Sequence, residues 1–131
     1  MRALRALRAW APALLWAALL FFLSTRSQIP APRVIGIDKV GHACVYGVLC
    51  WLIVRGLPAA ADAKWAVVIA SLYGVSDEIH QAFVPGRSAD PFDWLADTLG
   101  ALAVLYLLHR LRPRRAASSA PARALPAPAH D

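Results

Sequence analysis

Apolar positions in this chain gather into four runs separated by polar or helix-breaking segments. The first runs from Ala9 to Leu23, continues through Ser24 and Thr25, and is preceded by Arg2, Arg5 and Arg8. Pro12 falls near its start, where the missing N–H costs a helix least. Ile29-Pro30-Ala31-Pro32-Arg33 then interrupts any helix, since each proline disfavours helical backbone at the residue before it. The second run spans Val40 to Val54, with Asp38 placed to cap it and Arg55-Gly56-Leu57-Pro58 to end it. The third, Trp65 to Val75, keeps its helical spacing into Ser76-Asp77-Glu78-Ile79-His80-Gln81. Val84-Pro85-Gly86-Arg87 has the proline and glycine of a type II turn. Asp90-Pro91-Phe92-Asp93 is a capped helix start, and the fourth run, Trp94 to Leu108, follows it.

This pattern predicts an all-α chain with helices at about 9–25, 38–54, 63–81 and 91–109. They form one domain, 9–109, between a basic N-terminus (1–8) and a basic tail (110–131) whose Arg, Ala, Ser and Pro lack periodicity. Each apolar run is shorter than the roughly twenty residues that cross a bilayer, a length that also suits buried helices of a soluble bundle. Two features favour the membrane. The runs lack the polar stripe that a water-facing helix needs. The 131 residues are 59% hydrophobic and only 17% charged, with a mean hydropathy of +0.49. A domain this small buries too little surface to hide that excess from water. Extending each run by a turn into its polar flank restores a spanning length, and re-entrant polar ends are the alternative. The first run also resembles a signal peptide, but Ser24-Thr25-Arg26 makes a poor cleavage site, which favours an uncleaved helix.

The net charge of +6 raises nucleic-acid binding, which the distribution of the charges excludes. Basic residues flank the apolar runs, as membrane orientation requires, instead of alternating with exposed aromatics on one surface. With the N-terminus inside, the inner segments hold Arg2, Arg5, Arg8, Arg55, Lys64, Arg110, Arg112, Arg114, Arg115 and Arg123. The outer segments hold Arg26, Arg33, Lys39 and Arg87. This asymmetry predicts a multi-pass protein of the bacterial inner (plasma) membrane with both termini cytoplasmic. Acidic residues run the other way: Asp38, Asp77, Glu78, Asp90, Asp93 and Asp97 adjoin the outer connections, and only Asp62 and Asp131 lie inside. Cys44 and Cys50, six residues apart on one helix, are separated by about 9 Å of rise and cannot bond to each other.

The candidate chemistry is therefore at the outer face. Asp38, Lys39, His42 and Tyr46 fall at spacings of three and four and share one helix face. Asp38 also reads as an N-cap, Lys39 as a snorkelling side chain and His42 as an interhelical hydrogen-bonding group. Tyr73, Asp77, His80 and Gln81 share a face of the third helix, with Glu78 beside them. Two carboxylates at a helix C-terminus meet the wrong end of its dipole, so a compensating cation is expected. Arg87, Lys39, a protonated His42, a divalent metal or a cationic ligand group would each serve. Asp90 and Asp93 have a sufficient explanation in capping the fourth helix. Asp97, a turn deeper, costs about 2–3 kcal/mol or more unless paired, with Arg87 or His42 as its partners. Gly100 beyond it suits close helix contact.

These residues also carry a family resemblance. Asp38-Lys39-Val40-Gly41-His42 with Tyr46 resembles the D-K-x-x-H-x-x-x-Y signature of the VanZ-like family. Tyr73 to Ser88 is similar to its second block, and Asp93-Trp94-Leu95-Ala96-Asp97-Thr98-Leu99-Gly100 to its third, where the family often has Asn in place of Asp97. Phe21-Phe22-Leu23-Ser24 with Gln28 is similar to the end of its first helix. The match runs from about residue 20 to 105, in order and in register. The family name comes from a protein associated with resistance to the glycopeptide teicoplanin, an association that assigns no biochemical activity. Three readings of the site follow: an envelope accessory or binding protein, a membrane-surface enzyme, or polar glue between helices. Its partners would be the bilayer itself and an envelope lipid, a cell-wall precursor or another membrane protein. No cofactor is expected. Histidine and carboxylates suit acid–base or metal-assisted chemistry, but no established catalytic spacing is present.

Overall fold

A computed structural model describes residues 1–26 and 36–111, and in these the chain forms four α-helices and no strands. They are α1 (Arg2–Ser24), α2 (Ile37–Gly56), α3 (Lys64–Ala82) and α4 (Pro91–Leu111). The proline-rich break at Ile29-Pro30-Ala31-Pro32-Arg33, Gln28 and the tail from Arg112 lie outside the described residues.

Every helix is longer than its apolar run, because the polar flanks carry it on. At 23, 20, 19 and 21 residues they extend about 28–35 Å, the thickness of a bilayer core. α1, α2 and α4 are long and apolar enough to cross a membrane. α3 is the exception, since its last turns carry Ser76, Asp77, Glu78, His80 and Gln81. Large apolar side chains such as Leu15, Leu72, Ile79 and Leu99 point outward. So much exposed apolar surface on a small bundle marks contact with lipid.

Local structure departs from the sequence expectation at one proline and one cap. α1 reaches back to Arg2, so Arg5 and Arg8 are helical and Pro12 sits inside the helix, not at its start. α2 is entered through Gly36, whose φ of +86° favours glycine, and no side chain caps it. Asp38 therefore lies in the first turn and is not the N-cap. The type II turn is present: Gly86 has φ +80° and Arg87 N–H donates to the Val84 carbonyl at 3.0 Å.

The helices alternate in direction, so α2 and α4 run parallel and both lie antiparallel to α1 and α3. α2 is central. Trp16 Nε1–H donates to the Val45 carbonyl at 2.9 Å, and Gly56 lets Trp10 approach, which fixes α1 on α2. Tyr73 O–H donates to the Ala17 carbonyl at 2.6 Å and ties α3 to α1. α2 and α4 make the closest contact of the bundle, at Gly47 and Gly100, where small residues let backbones approach. α1 and α4 flank opposite sides of the α2–α3 pair without touching. Tyr46, Leu49, Cys50, Ile53, Ala66, Ala70 and Ala101 form the core. Cys50 is buried there and Cys44 is exposed; both are free.

Antiparallel packing places the C-terminal ends of α1 and α3 beside the N-terminal ends of α2 and α4. Of the described acidic residues, all but Asp62 collect at this end.

Candidate functional site

The polar end is organised around two basic side chains, Lys39 and His42. Lys39, in the first turn of α2, reaches three carboxylates: Asp38 at 3.3 Å, and Asp90 and Asp93 at 2.5 Å each. A turn deeper, His42 Nδ1 lies 2.9 Å from Asp97 Oδ1, a hydrogen bond in which the ring N–H donates to the carboxylate. His42 Nε2 lies 3.7 Å from Asp93 Oδ2, so Asp93 connects the two layers. These pairings follow from parallel packing: spacings of three and four on α2 meet a spacing of four on α4. Gly74 on α3 makes room for Asp97, since a Cβ there would lie 3.1 Å from Asp97 Oδ2.

α3 contributes the remaining acids differently. Asp77 Oδ2 accepts from the Tyr46 hydroxyl at 3.3 Å and from Gln81 Nε2 at 3.2 Å. Glu78 Oε2 accepts from the backbone N–H of Asp90 at 2.6 Å, which fastens the turn before α4 to α3. Arg87 Nη2 donates to Gln81 Oε1 at 2.6 Å. Among the described residues, neither Asp77 nor Glu78 forms an ion pair, so the expected protein counter-cation is not in contact with either. Asp97 takes His42, not Arg87, as its partner.

Burial makes this arrangement costly. Asp77, Glu78 and Asp97 are 7%, 8% and 1% exposed, and each has one oxygen, Oδ1, Oε1 and Oδ2 respectively, without a hydrogen-bond partner. A carboxylate at such a depth costs about 2–3 kcal/mol or more unless it is paired. Among the described residues, six carboxylates at this end stand against Arg26, Lys39, Arg87 and His42. The deficit of positive charge is a property of the folded protein, not only of its sequence.

A cavity of about 410 Å³ opens between the ends of α1, α2 and α3. Leu20, Leu23 and Val45 form its apolar side, and Asp38, His42, Tyr46, Asp77, Gln81 and Arg87 its polar side. Ser24, at the end of α1, also lines it and is 6% exposed, with its hydroxyl unpartnered. Among the described residues, no group of three or more His, Cys, Asp or Glu side chains is arranged to hold a metal ion.

The family model VanZ/LLP1 matches residues 5–112, which takes in nearly all of the four helices. The chain belongs to the VanZ/LLP1 family. Comparison with curated proteins and with solved structures finds no match. In this VanZ/LLP1 chain the three polar sequence blocks, one each on α2, α3 and α4, converge at a single end. Asp38, Lys39, His42, Tyr46, Asp77, Glu78, Gln81, Arg87, Asp93 and Asp97 all lie there. Tyr73 and His80 do not join them, although they share the helix face. Tyr73 binds the α1 backbone, and the His80 ring lies 4.4 Å from that of Phe21.

Sequence reasoning passed over Ser24 and Gly74 as parts of the site. Ser24 reads as the polar end of an apolar run, and only the fold turns its hydroxyl inward. Gly74 stands four residues from Glu78 and three from Asp77, and that spacing is the signal that it faces the same cluster.

Asp90 gives this end a pH response. Hydrogen bonds from Lys39 and from the Phe92 backbone N–H hold its carboxyl below the usual value of 3.8. A carboxyl depressed by folding contributes stability above its unfolded value and loses it as pH falls through the lowered one. Purified protein is therefore expected to lose thermal stability below about pH 4, with Asp90→Asn removing part of that loss. Melting curves between about pH 3 and 7 test this, and identical pH profiles for the two proteins would refute it.

Proposed function

We propose that this VanZ/LLP1 protein is an accessory protein of the cell envelope, held in the inner membrane with both termini cytoplasmic and its polar end outside. That end binds an envelope component. The observation that carries this reading is the set of three buried carboxylates, each with an unpartnered oxygen, one of which, Asp77, lines a cavity together with His42 and Arg87. Interhelical glue would need each polar group satisfied within the protein, because an unsatisfied buried group costs stability. Asp77, Glu78 and Asp97 do not meet that condition. The excess of Lys and Arg on the inner segments supports the orientation.

Two experiments test the reading. Reporter fusions near Gly86 are expected to be active outside the inner membrane, and fusions after Arg115 active inside; the reverse would overturn the orientation. His42→Gln, Glu78→Gln and Arg87→Gln proteins are expected to insert and accumulate normally. They should fail to restore wild-type tolerance in an envelope-stress or glycopeptide-sensitivity assay of a strain lacking the protein. Full restoration by all three would leave only the glue reading.

One observation favours a second reading, acid–base catalysis on an envelope lipid or cell-wall precursor. Asp97 fixes His42 through Nδ1, and His42 lines the cavity, the arrangement of a general base held by a carboxylate. Turnover of envelope lipid by purified protein, lost in His42→Gln, would establish it.

A further inference from the structure

The cavity between α1, α2 and α3 holds features that point to one ligand chemistry. Asp77 lines it with Oδ1 unpartnered and shielded from water. Ser24 lines it with an unpartnered, buried hydroxyl from a different helix. Both atoms accept hydrogen bonds, and one of them is anionic. A group that satisfies both must donate several hydrogen bonds and complement a carboxylate, and it would reach them from the cavity that both residues line. A primary ammonium has three N–H donors and meets these conditions.

The other half of the ligand is set by Arg87. Its guanidinium lines the same cavity and donates to Gln81, a neutral amide, and it makes no ion pair among the described residues. A guanidinium with spare N–H donors is suited to a phosphate oxygen pair. Gln81 stands between the two charges, accepting from Arg87 and donating to Asp77. The cation and the anion of the site are thus one carboxamide apart. Leu20, Leu23 and Val45 close the remaining side with apolar surface.

We propose that this cavity binds the zwitterionic head group of a membrane phospholipid bearing a primary amine, with the ammonium on Asp77 and Ser24 and the phosphate on Arg87. The inference rests on the binding function given above and names its ligand class. The shared chemistry, an aminoalkyl phosphate, exists both in lipid and in free form, and the apolar side of the cavity, suited to the hydrocarbon next to a head group, assigns the lipid.

The test uses the full chain purified in detergent, with lipid retention measured by native mass spectrometry. Dioleoyl phosphatidylethanolamine is expected to be retained about tenfold more tightly than the phosphatidylcholine or phosphatidylglycerol of the same chains, because a quaternary amine has no N–H to donate and a glycerol no charge. Asp77→Asn is expected to reduce the preference over phosphatidylcholine to about twofold or less, and Arg87→Gln to weaken both lipids about equally. Equal retention of the three lipids by the native chain overturns the proposal, and this comparison needs no variant to fold. An unchanged preference in a folded Asp77→Asn protein also overturns it. Binding of soluble phosphoethanolamine without retention of the lipid overturns the lipid assignment. If Asp77→Asn fails in the envelope assay but no lipid preference exists, the ligand class falls and the binding function stands. A lipid preference in a protein whose variants all behave normally in that assay does the opposite.

Discussion

Replacing Gly100 with valine is expected to destroy the native packing of α4 on α2. A Cβ at Gly100 would overlap the backbone carbonyl of Ala43, so even alanine forces the two helices apart. Overpacking costs typically about 1–3 kcal/mol where side chains yield; here the obstacle is backbone, which puts the loss at about 3 kcal/mol or more. Gly47 gives a graded comparison. A Cβ there would meet the Val104 side chain at 3.0 Å and the Gly100 carbonyl at 3.3 Å, a tight contact but not the overlap found at Gly100. Gly47→Ala is therefore expected to be milder. Gly41, on the same helix, has open space where a methyl group would stand, with nothing within 4 Å of it. Gly41→Ala should therefore leave stability within about 1 kcal/mol, in the stabilising direction. Thermal unfolding in detergent measures all three. A Gly100→Val protein that melts like the native chain would refute the close approach, and with it the parallel register that brings His42 to Asp97.

The same contact shows what a sequence reading reaches and where it stops. Four helices follow from apolar periodicity alone, and the turn at Pro85-Gly86 from backbone chemistry at two residues. Both are local properties. The pairing of Lys39 with Asp90 and Asp93 spans more than fifty residues and depends on α2 and α4 running side by side in parallel. Nothing in the periodicity distinguishes that arrangement from one in which α4 packs against α1. Family resemblance placed the three polar blocks in one class but not in contact. Asp38 illustrates a local error: its type and position suit a cap, but Gly36 supplies the left-handed entry to α2 and leaves Asp38 to Lys39. Pro12 is another, for the helix begins where Arg2 to Arg8 extend it, well before the apolar run. The dipole argument at Asp77 and Glu78 correctly located a charge imbalance. It did not foresee that Tyr46, Gln81 and the Asp90 backbone would take one oxygen of each and leave the other bare.

Lys39→Met is expected to have the second-largest effect, and it separates scaffold from site. Lys39 is the one described residue that contacts Asp38, Asp90 and Asp93 together, so its loss leaves three carboxylates facing one another with His42 as the nearest remaining basic side chain. Removing one member of a fully buried pair costs about 3–5 kcal/mol. The Lys39 and Asp93 side chains are 31% and 14% exposed, so solvent screening lowers the expectation to about 2–3 kcal/mol. Adding Asp93→Asn to Lys39→Met should return part of the loss, because it removes a repelling charge, with a coupling of about 1–2 kcal/mol between the positions. The deficit should also shrink as pH falls below about 4, where protonation of the acids relieves the same repulsion. An unchanged melting temperature in Lys39→Met would mean that the three-carboxylate cluster is held by water and helix packing alone. If the loss is as large as expected, Lys39 belongs to the frame that holds α2 against the start of α4. Asp77 and Arg87, whose charges make no ion pair among the described residues, are then the positions at which binding is read.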